Sequence, residues 1–460
     1  MSIRRILIAN RGEIAARIIR TCRRLDIETV LAVSAADRDS EPARQADRVV
    51  CIGPAKSADS YLNVEAIVHA AVATRADAIH PGYGFLSERA ALPKLCASAG
   101  IIFIGPTADQ LLAIGDKLRA RAEAERADVP VVPGGAANSR AEAESLARTL
   151  KAPLLVKAVG GGGGRGLKRV ERIEDLPGCL DLAAAEAGAA FGDGRLYLEQ
   201  YIGRGRHVEV QVLGDGEGRV IHLGERDCSV QRRYQKLIEE TPAPGLSPAL
   251  RQSLQQAGVR FAQRLAYRGA GTVEFIVDTQ SDSFYFLEMN GRIQVEHPVT
   301  EAVTGIDLIA EQIAIADEQG LRRRQSEIRM TGAAIECRIN AEDCRDDFKP
   351  SPGRVREISW PSGEGIRVDS HVVPGSSIPP FYDSLMGKII ALGADRGSAL
   401  ARLRKAIAET HISGVNSNLE FHGAALEDLE FQLGGVDTGF VDRLYGRRQS
   451  LGANREAVHG

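Results

Sequence analysis

Five polar side chains, Glu288, Asn290, Arg292, Gln294 and Glu296, recur at strict i, i+2 spacing in EMNGRIQVE. In an extended chain successive side chains point to opposite faces, so all five share one face if the segment stays a strand. The alternate residues Leu287, Met289, Ile293 and Val295 are apolar and suit the other face. Glu274, in the preceding run GTVEFIVDT, has the parity to join the row from a partner strand. Polar turn residues at 280–282 make the two runs a hairpin. Charged residues in such a row cannot sit in a core unpaired. A solvated sheet face is the plain alternative, but no lysine or serine dilutes the row. Glu274, Glu288 and Asn290 offer the hard oxygen ligands that suit Mg²⁺ bridging nucleotide phosphates. Arg292 offers a planar fork for a carboxylate-like or phosphate-like anion. Glu296 lies beyond the metal set, where a general base is useful.

The 460 residues suggest about three domains. In the first unit, 1–115, RILIA leads into a segment where Ile14, Ile18, Cys22 and Leu25 recur at helical spacing. TVLAVS, DRVVCIG, ADAIHP and IIFIG read as further strands, with a helix over Val64–Ala73. This alternation predicts a Rossmann-like parallel sheet of α/β class. The second unit, 116–331, holds strands at LLVKA, RLYLEQYI, HVEVQVLGD and RVIHLGE, a helix over 249–267, the hairpin, and an amphipathic helix at IDLIAEQIAIAD. The third unit, 332–446, opens on AAIECRIN, runs through Pro/Gly-rich turns and closes with a helix near 398–410. It reads as a mixed β domain, followed by a polar tail over 447–460.

Residues 161–166 match G-x-G-x-x-G, but LKRV after them reads as a strand, and no Ser or Thr follows a lysine there. Neither a dinucleotide fingerprint nor a P-loop fits. A hairpin tip of bare backbone remains. A surface linker is the bland reading; the consecutive glycines and Lys157 favour a phosphate-covering lid, drawn here over 131–203.

A net charge of −3 leaves no excess positive charge for a general nucleic-acid binder. No apolar run approaches a membrane span, and MSIRRILIANRGE makes a poor signal peptide. Seven cysteines without a CxxC pair read as reduced thiols in packing positions, which suits a cytoplasmic protein. Only ten of the 58 basic residues are lysine, yet Lys117, Lys157 and Lys236 all fall in the stretches quoted below or beside them.

The chain resembles the biotin carboxylase subunit of biotin-dependent carboxylases, a branch of the ATP-grasp superfamily. The matching stretches are IANRGEIA, AIHPGYGFLSE, IGDK, KAVGGGGGRG, RHVEVQV, ERDCSVQRR, YRGAGTVEF, EMNGRIQVEHPVTE, ECRINAED and PSPG, in order through all three units. The resemblance implies an ATP-grasp fold and ATP-dependent carboxylation of biotin by bicarbonate. It implies that Lys117, Lys157, the Gly163–Gly164 backbone, His207, Gln231 and Tyr234 contact ATP, with Glu199, Gln200, Tyr201 and Ile202 as the adenine-side hinge. Glu274, Glu288 and Asn290 would hold Mg²⁺ or Mn²⁺ beside the nucleotide. Lys236, Arg292, Gln294 and the Val295 backbone would hold bicarbonate, with Glu296 as its base. Arg338 would stabilise the enolate form of biotin, with Tyr83, Gly84 and Asp383 beside its ring system.

The biotin is expected on a separate carrier protein, because none of the four methionines adjoins a lysine as the carrier signature requires. A carboxyltransferase subunit would complete an acyl-CoA or related carboxylase, and homodimerisation is common in the family. Three positions depart from the commonest pattern. Tyr234 stands where relatives often carry His or Asn, Gln200 where Lys is frequent, and Gly291 where Thr is usual. The glycine is expected to loosen the strand that carries the polar row. These departures motivate a second reading, a non-catalytic nucleotide-binding paralogue that scaffolds or regulates a carboxylase complex. A ligase joining a carboxylate to an amine leaves QVEHPVTE and ECRINAED unexplained. Cys228, His80 and His297 are expected to serve packing and hydrogen bonding, and Trp360 carries no functional signal.

Overall fold

The computed structural model describes residues 3–137, 139–159 and 167–447. The first strands, β1 (Arg5–Ile8), β2 (Glu28–Ser34), β3 (Arg48–Gly53), β4 (Ala78–His80) and β5 (Ile102–Phe103), form a parallel sheet in the order β3-β2-β1-β4-β5. Ile6, Leu7 and Ile8 of the central strand are fully buried, as expected where helices cover both faces. The helix Gly12–Arg24 buries Ile14, Ile18 and Cys22 against the sheet. Leu25, which the periodicity places in the same stripe, is the exposed C-cap instead. Cys51 is likewise exposed on β3, an exception to the expected packing of the cysteines.

A separate antiparallel sheet holds β6 (Gly134–Ala137), β7 (Leu154–Ala158), β8 (Leu167–Val170) and β9 (Leu196–Gln200), in the order β6-β9-β7-β8. The polyglycine stretch, with Gly163 and Gly164, lies outside the described residues. The strands on either side of it, β7 and β8, pair antiparallel with Lys157 opposite Leu167.

The largest sheet begins with β10 (Gly205–Asp215), β11 (Val220–Arg232), β12 (Gln235–Thr241), β13 (Arg268–Asp278) and β14 (Ser283–Asn290). It continues through β15 (Ala333–Asn340) and the strands Leu385–Gly393 and Ile366–Ser370. β12 pairs with β15 in register, so one ladder runs on either side of residue 332. The helix Leu308–Ala316 buries all nine of its residues, Glu311 and Gln312 included. The expected amphipathic helix therefore has no solvent face; β13 and the helix Gly12–Arg24 both pack on it. Among the described residues no helix is long and apolar enough to cross a membrane.

The polar row does not stay a strand. β14 ends at Asn290, residues 291–296 form an irregular turn, and the helix His297–Thr304 follows. A bulge also interrupts the hairpin: Glu274 faces Glu288, but Phe275 faces Phe286. Leu287 is the extra residue and lines the central cleft, whereas the sequence placed it on the opposite face. Gly291 sits in a tight space. A Cβ there would lie 2.7 Å from Ile114 Cδ1 and 2.9 Å from Leu111 Cδ2, so the glycine lets the turn sit against the helix Ala108–Gly115. Gly291→Thr is expected to destabilise the protein by ~1–3 kcal/mol through overpacking. A second change, Leu111→Ala, should recover part of that loss in a denaturant melt. A Gly291→Thr protein as stable as the parent would contradict this packing.

Candidate active site

The carboxyl ends of β1 and β4 open on a cleft of about 2300 Å³ that the central sheet and the β6–β9 sheet also line. Ligands of open parallel sheets gather at such ends. Asn10, just after β1, donates through Nδ2 to the carbonyls of Pro81 and Tyr83, both at 2.7 Å, and so fixes the loop after β4. Gly84 in that loop has φ +66°, a left-handed conformation that glycine adopts without strain, and open space where a Cβ would be.

Lys236, on β12, sits at the centre. Its Nζ lies 2.5 Å from Glu209 Oε2, 2.9 Å from Glu274 Oε1 and 2.7 Å from Glu296 Oε1. Burial alone would lower this ammonium, but the three carboxylates raise it well above its ordinary value. Glu209 and Glu274 face each other on β10 and β13, a like-charge pair that needs cations between its members. Arg226, fully buried on β11, supplies a second one, with Nε 2.5 Å from Glu209 Oε1.

Glu296 is buried in the turn after β14, and Arg338 of β15 reaches its Oε2 at 2.9 Å. Burial would raise this carboxyl; Lys236, Arg338 and Arg226 together hold it well below the usual carboxylate range. Arg338 also donates through Nε to Glu239 Oε1 at 2.5 Å. Burial pushes the Glu239 carboxyl up to about 7, with Arg338 working against the shift and Glu296 adding to it.

Across the hairpin Glu274 stands opposite Glu288, and Thr272 opposite Asn290. Glu274 Oε1 accepts from Asn290 Nδ2 at 2.8 Å and Gln294 Nε2 at 3.0 Å, and its Oε2 lies 3.1 Å from His207 Nε2. Burial lowers the His207 imidazole, but the Glu274 carboxylate more than reverses this and raises it. Glu288 Oε2 holds Lys117 Nζ at 2.6 Å. Arg292 donates to Asn290 Oδ1 at 2.9 Å and Gln294 Oε1 at 2.8 Å. The five residues thus converge despite the broken strand, because the turn folds them back around Glu274.

On the β6–β9 sheet, Lys157 pairs with Glu199, whose carboxylate also accepts from the Tyr197 hydroxyl at 3.0 Å. The N–H groups of Gln200 and Tyr201 donate to the carbonyls of Pro133 and Pro153, at 2.9 and 3.1 Å. Those two hinge donors are therefore engaged within the protein, while Gln200, Tyr201 and Ile202 all line the cleft. Arg169 stacks on the Tyr201 ring at 4.0 Å. Gln231 is buried near the end of β11, and Tyr234 stands exposed in the turn that follows. Arg233 and Tyr234 have φ +48° and +66°, and non-glycine residues hold such angles only where their surroundings impose them. Asp347 pairs with both Arg232 and Arg233 and anchors the turn.

Tyr83 and Asp383 also border the cleft. The Tyr83 hydroxyl donates to Glu13, and Asp383 Oδ2 lies 3.7 Å from an Arg11 nitrogen. Cys228 is buried with its Sγ 3.9 Å from Glu296 Oε1, and burial raises its thiol well above the ordinary value, which keeps it neutral. His80 Nδ1 accepts from the Gly82 N–H at 3.1 Å, and His297 Nδ1 donates to the Gln294 carbonyl at 2.7 Å, both hydrogen-bonding roles as expected. Sequence reasoning missed Glu88, Glu209 and Glu239. Glu88 accepts from the Gly291 N–H at 3.0 Å and from Arg292 Nε at 2.9 Å. Glu209 follows His207 by two positions on an alternating strand, a parity signal that could have found it.

Three family models match the chain in sequence order. Residues 2–111 match the biotin carboxylase N-terminal domain, 116–324 the ATP-binding domain of the carbamoyl-phosphate synthase L chain, and 336–443 the biotin carboxylase C-terminal domain. The chain is 49% identical over 446 residues to the biotin carboxylase of a Nostoc species, covering 96% of this chain and all of that one. It superposes on the Campylobacter jejuni biotin carboxylase, a complex with β,γ-ATP, at TM-score 0.94 and 45% identity, covering 96% of this chain and 99% of that one. The biotin carboxylase domain dimer of Hydrogenobacter thermophilus 2-oxoglutarate carboxylase, in complex with MgADP, ADP and bicarbonate, matches at TM-score 0.93 and 43% identity, covering 96% and 98%. A parallel-sheet domain joined to an ATP-grasp core and an antiparallel extension is the architecture these matches share with it. The chain belongs to the biotin carboxylase family.

The raised Glu239 carboxyl sets a pH dependence. The folded state keeps a proton that the unfolded chain releases near its ordinary value of 4.5. This contribution to stability is fully present below about 4.5 and is lost as pH rises through about 7. Glu239→Gln is expected to flatten thermal stability against pH across that window. An unchanged slope in melts through the window would count against the shift.

Proposed function

We propose that this chain carboxylates biotin at the expense of ATP, with bicarbonate as the carbon source. The observation that carries this reading is the meeting of Lys236 and Arg338 on the single buried carboxylate of Glu296, beside an all-oxygen set on the adjacent hairpin. Glu274, Glu288 and Asn290 fit a divalent cation such as Mg²⁺ or Mn²⁺, since hard oxygen donors in cross-strand register are what such ions take. When bound, the metal would neutralise charge on the transferring phosphoryl group. Lys117, Lys157 and His207 would contact the phosphates of ATP, together with Gln231 and Tyr234, and residues 199–202 would form the adenine-side hinge; all of them line the cleft.

Lys236, Arg292, Gln294 and the Val295 N–H would hold bicarbonate against Glu296. Glu296 takes the bicarbonate proton, and the freed oxygen attacks the γ-phosphorus while ADP leaves. Carboxyphosphate then breaks to CO₂ and phosphate, which requires water to be excluded. The phosphate takes the N1′ proton of biotin, N1′ attacks CO₂, and Arg338 meets the negative charge on the ureido oxygen. The cations around Glu296 keep it unprotonated but weaken it as a base; binding of phosphate groups would draw Lys236 away from it and restore its basicity. Tyr83, Gly84 and Asp383 also line the cleft, and the biotin ring would lie beside them. The biotin would arrive on a separate carrier protein, and a carboxyltransferase subunit would receive the carboxyl group. A homodimer is the expected assembly, as in the Hydrogenobacter domain dimer.

Purified protein should hydrolyse ATP only when bicarbonate is present, and faster with biotin or a biotinylated carrier. ATP turnover indifferent to both would sink the reading. Mg-ATP binding without turnover under any carrier condition would point to the non-catalytic paralogue. Glu296→Gln should leave ATP affinity nearly unchanged and cut turnover by ~10² or more, the scale of a lost general base. Wild-type turnover in that variant would remove Glu296 from the role.

A further inference from the structure

Lys388 is one of seven lysines that no sequence motif claims, and its side chain is fully buried. It stands opposite Arg338 in register, on the strand Leu385–Gly393. Like charges so placed repel, and a buried ammonium costs several kcal/mol unless paired. Each cation is therefore committed elsewhere. Arg338 reaches the Glu296 side chain, whereas Lys388 Nζ donates to the main-chain carbonyl of Val295 at 2.7 Å and lies 3.1 Å from Glu13 Oε1. On the other side of Val295, the carbonyl of Gln294 accepts from His297 Nδ1 at 2.7 Å. The Gln294 carbonyl shares a peptide plane with the Val295 N–H, so His297 fixes that plane directly, and Lys388 fixes the next plane and with it the rotation between the two at Val295.

We propose that Lys388 is a positioning residue which clamps the Val295 carbonyl and so aims the Val295 N–H at bicarbonate. This rests on the reading above, in which the Val295 backbone holds that anion. The same ammonium extends the clamp to the biotin wall, because Glu13 Oε1 also accepts from the Tyr83 hydroxyl. One buried cation then joins the turn assigned to bicarbonate with the loop assigned to biotin. Three parts of the chain that are distant in sequence supply the links, so no local motif encodes them.

The test compares Lys388→Met, Lys388→Arg and the double variant Glu13→Gln/Lys388→Met in the full chain, with KM for bicarbonate and for ATP measured separately. The bicarbonate KM should rise ~10-fold or more in both methionine variants, the scale of one lost hydrogen bond to an anion, while the ATP KM stays within about twofold. Lys388→Arg, which keeps a donor, should recover part of the loss. The double variant removes both buried charges together and is expected to fold even where Lys388→Met alone does not. A folded double variant with an unchanged bicarbonate KM overturns the proposal. So does a fall in kcat with both KM values unchanged, or a double variant that fails to fold, since either marks a purely structural lysine. If the parent enzyme's ATP turnover ignores bicarbonate, the reading of the site fails first and is recognised as such before any variant is made.

Discussion

An ammonium shared among three buried carboxylates organises this protein. Lys236 touches Glu209, Glu274 and Glu296, which come from β10, β13 and the turn after β14. None of these acids could be buried alone, since an isolated charge in a dry interior neutralises or stays out. Removing one partner of such a cluster typically costs ~3–5 kcal/mol, because the others are left uncompensated. The fold therefore tolerates the acids only with Lys236, Arg226 and Arg338 present. The same groups that let the sheet fold are those a phosphoryl-transfer site needs. Phosphates and metal bound there would exchange places with protein charges and meet an environment already arranged for charge.

Local periodicity made much of this legible in the sequence. The hairpin of β13 and β14 follows from alternation over two runs and a polar turn, and the helix Val64–Ala73 falls where its apolar spacing places it. The row from Glu288 to Glu296 gave the right set of side chains for an incomplete reason. Parity predicts a common face, yet the chain leaves the strand at Asn290 and reaches the same convergence through a turn. Gly291 follows the strand's last residue where a side chain would crowd Ile114 and Leu111, and pattern cannot announce the approach of a distant helix. The burial of Leu308–Ala316 on every side escaped for the same reason: its polar residues read as a solvent face until both neighbours are placed. Glu13, Glu88, Glu239 and Lys388 were invisible because each takes its meaning from a partner on another unit.

The preference for arginine over lysine acquires a structural sense. Arginine serves sites where a flat fork spans two acceptors, as Arg11 does on Asp37 and Arg338 does between Glu239 and Glu296. Lysine appears at points of crowding. Lys236 fits between three carboxylates, and Lys388 reaches one carbonyl beside a neighbouring guanidinium. Between three carboxylates the compact head of Lys236 fits where a wide fork would displace its neighbours.

The ladder between β12 and β15 has a mechanical consequence. It fastens Lys236 and Arg338 to one continuous sheet, so the groups on either side of Glu296 cannot swing apart as separate bodies without breaking strand pairing. The β6–β9 sheet is a separate ladder among the described residues, and it carries Lys157 and Glu199. Constraint on the cleft thus divides unequally: the end at Glu296 is an anvil tied into one ladder, whereas the end at Lys157 belongs to another.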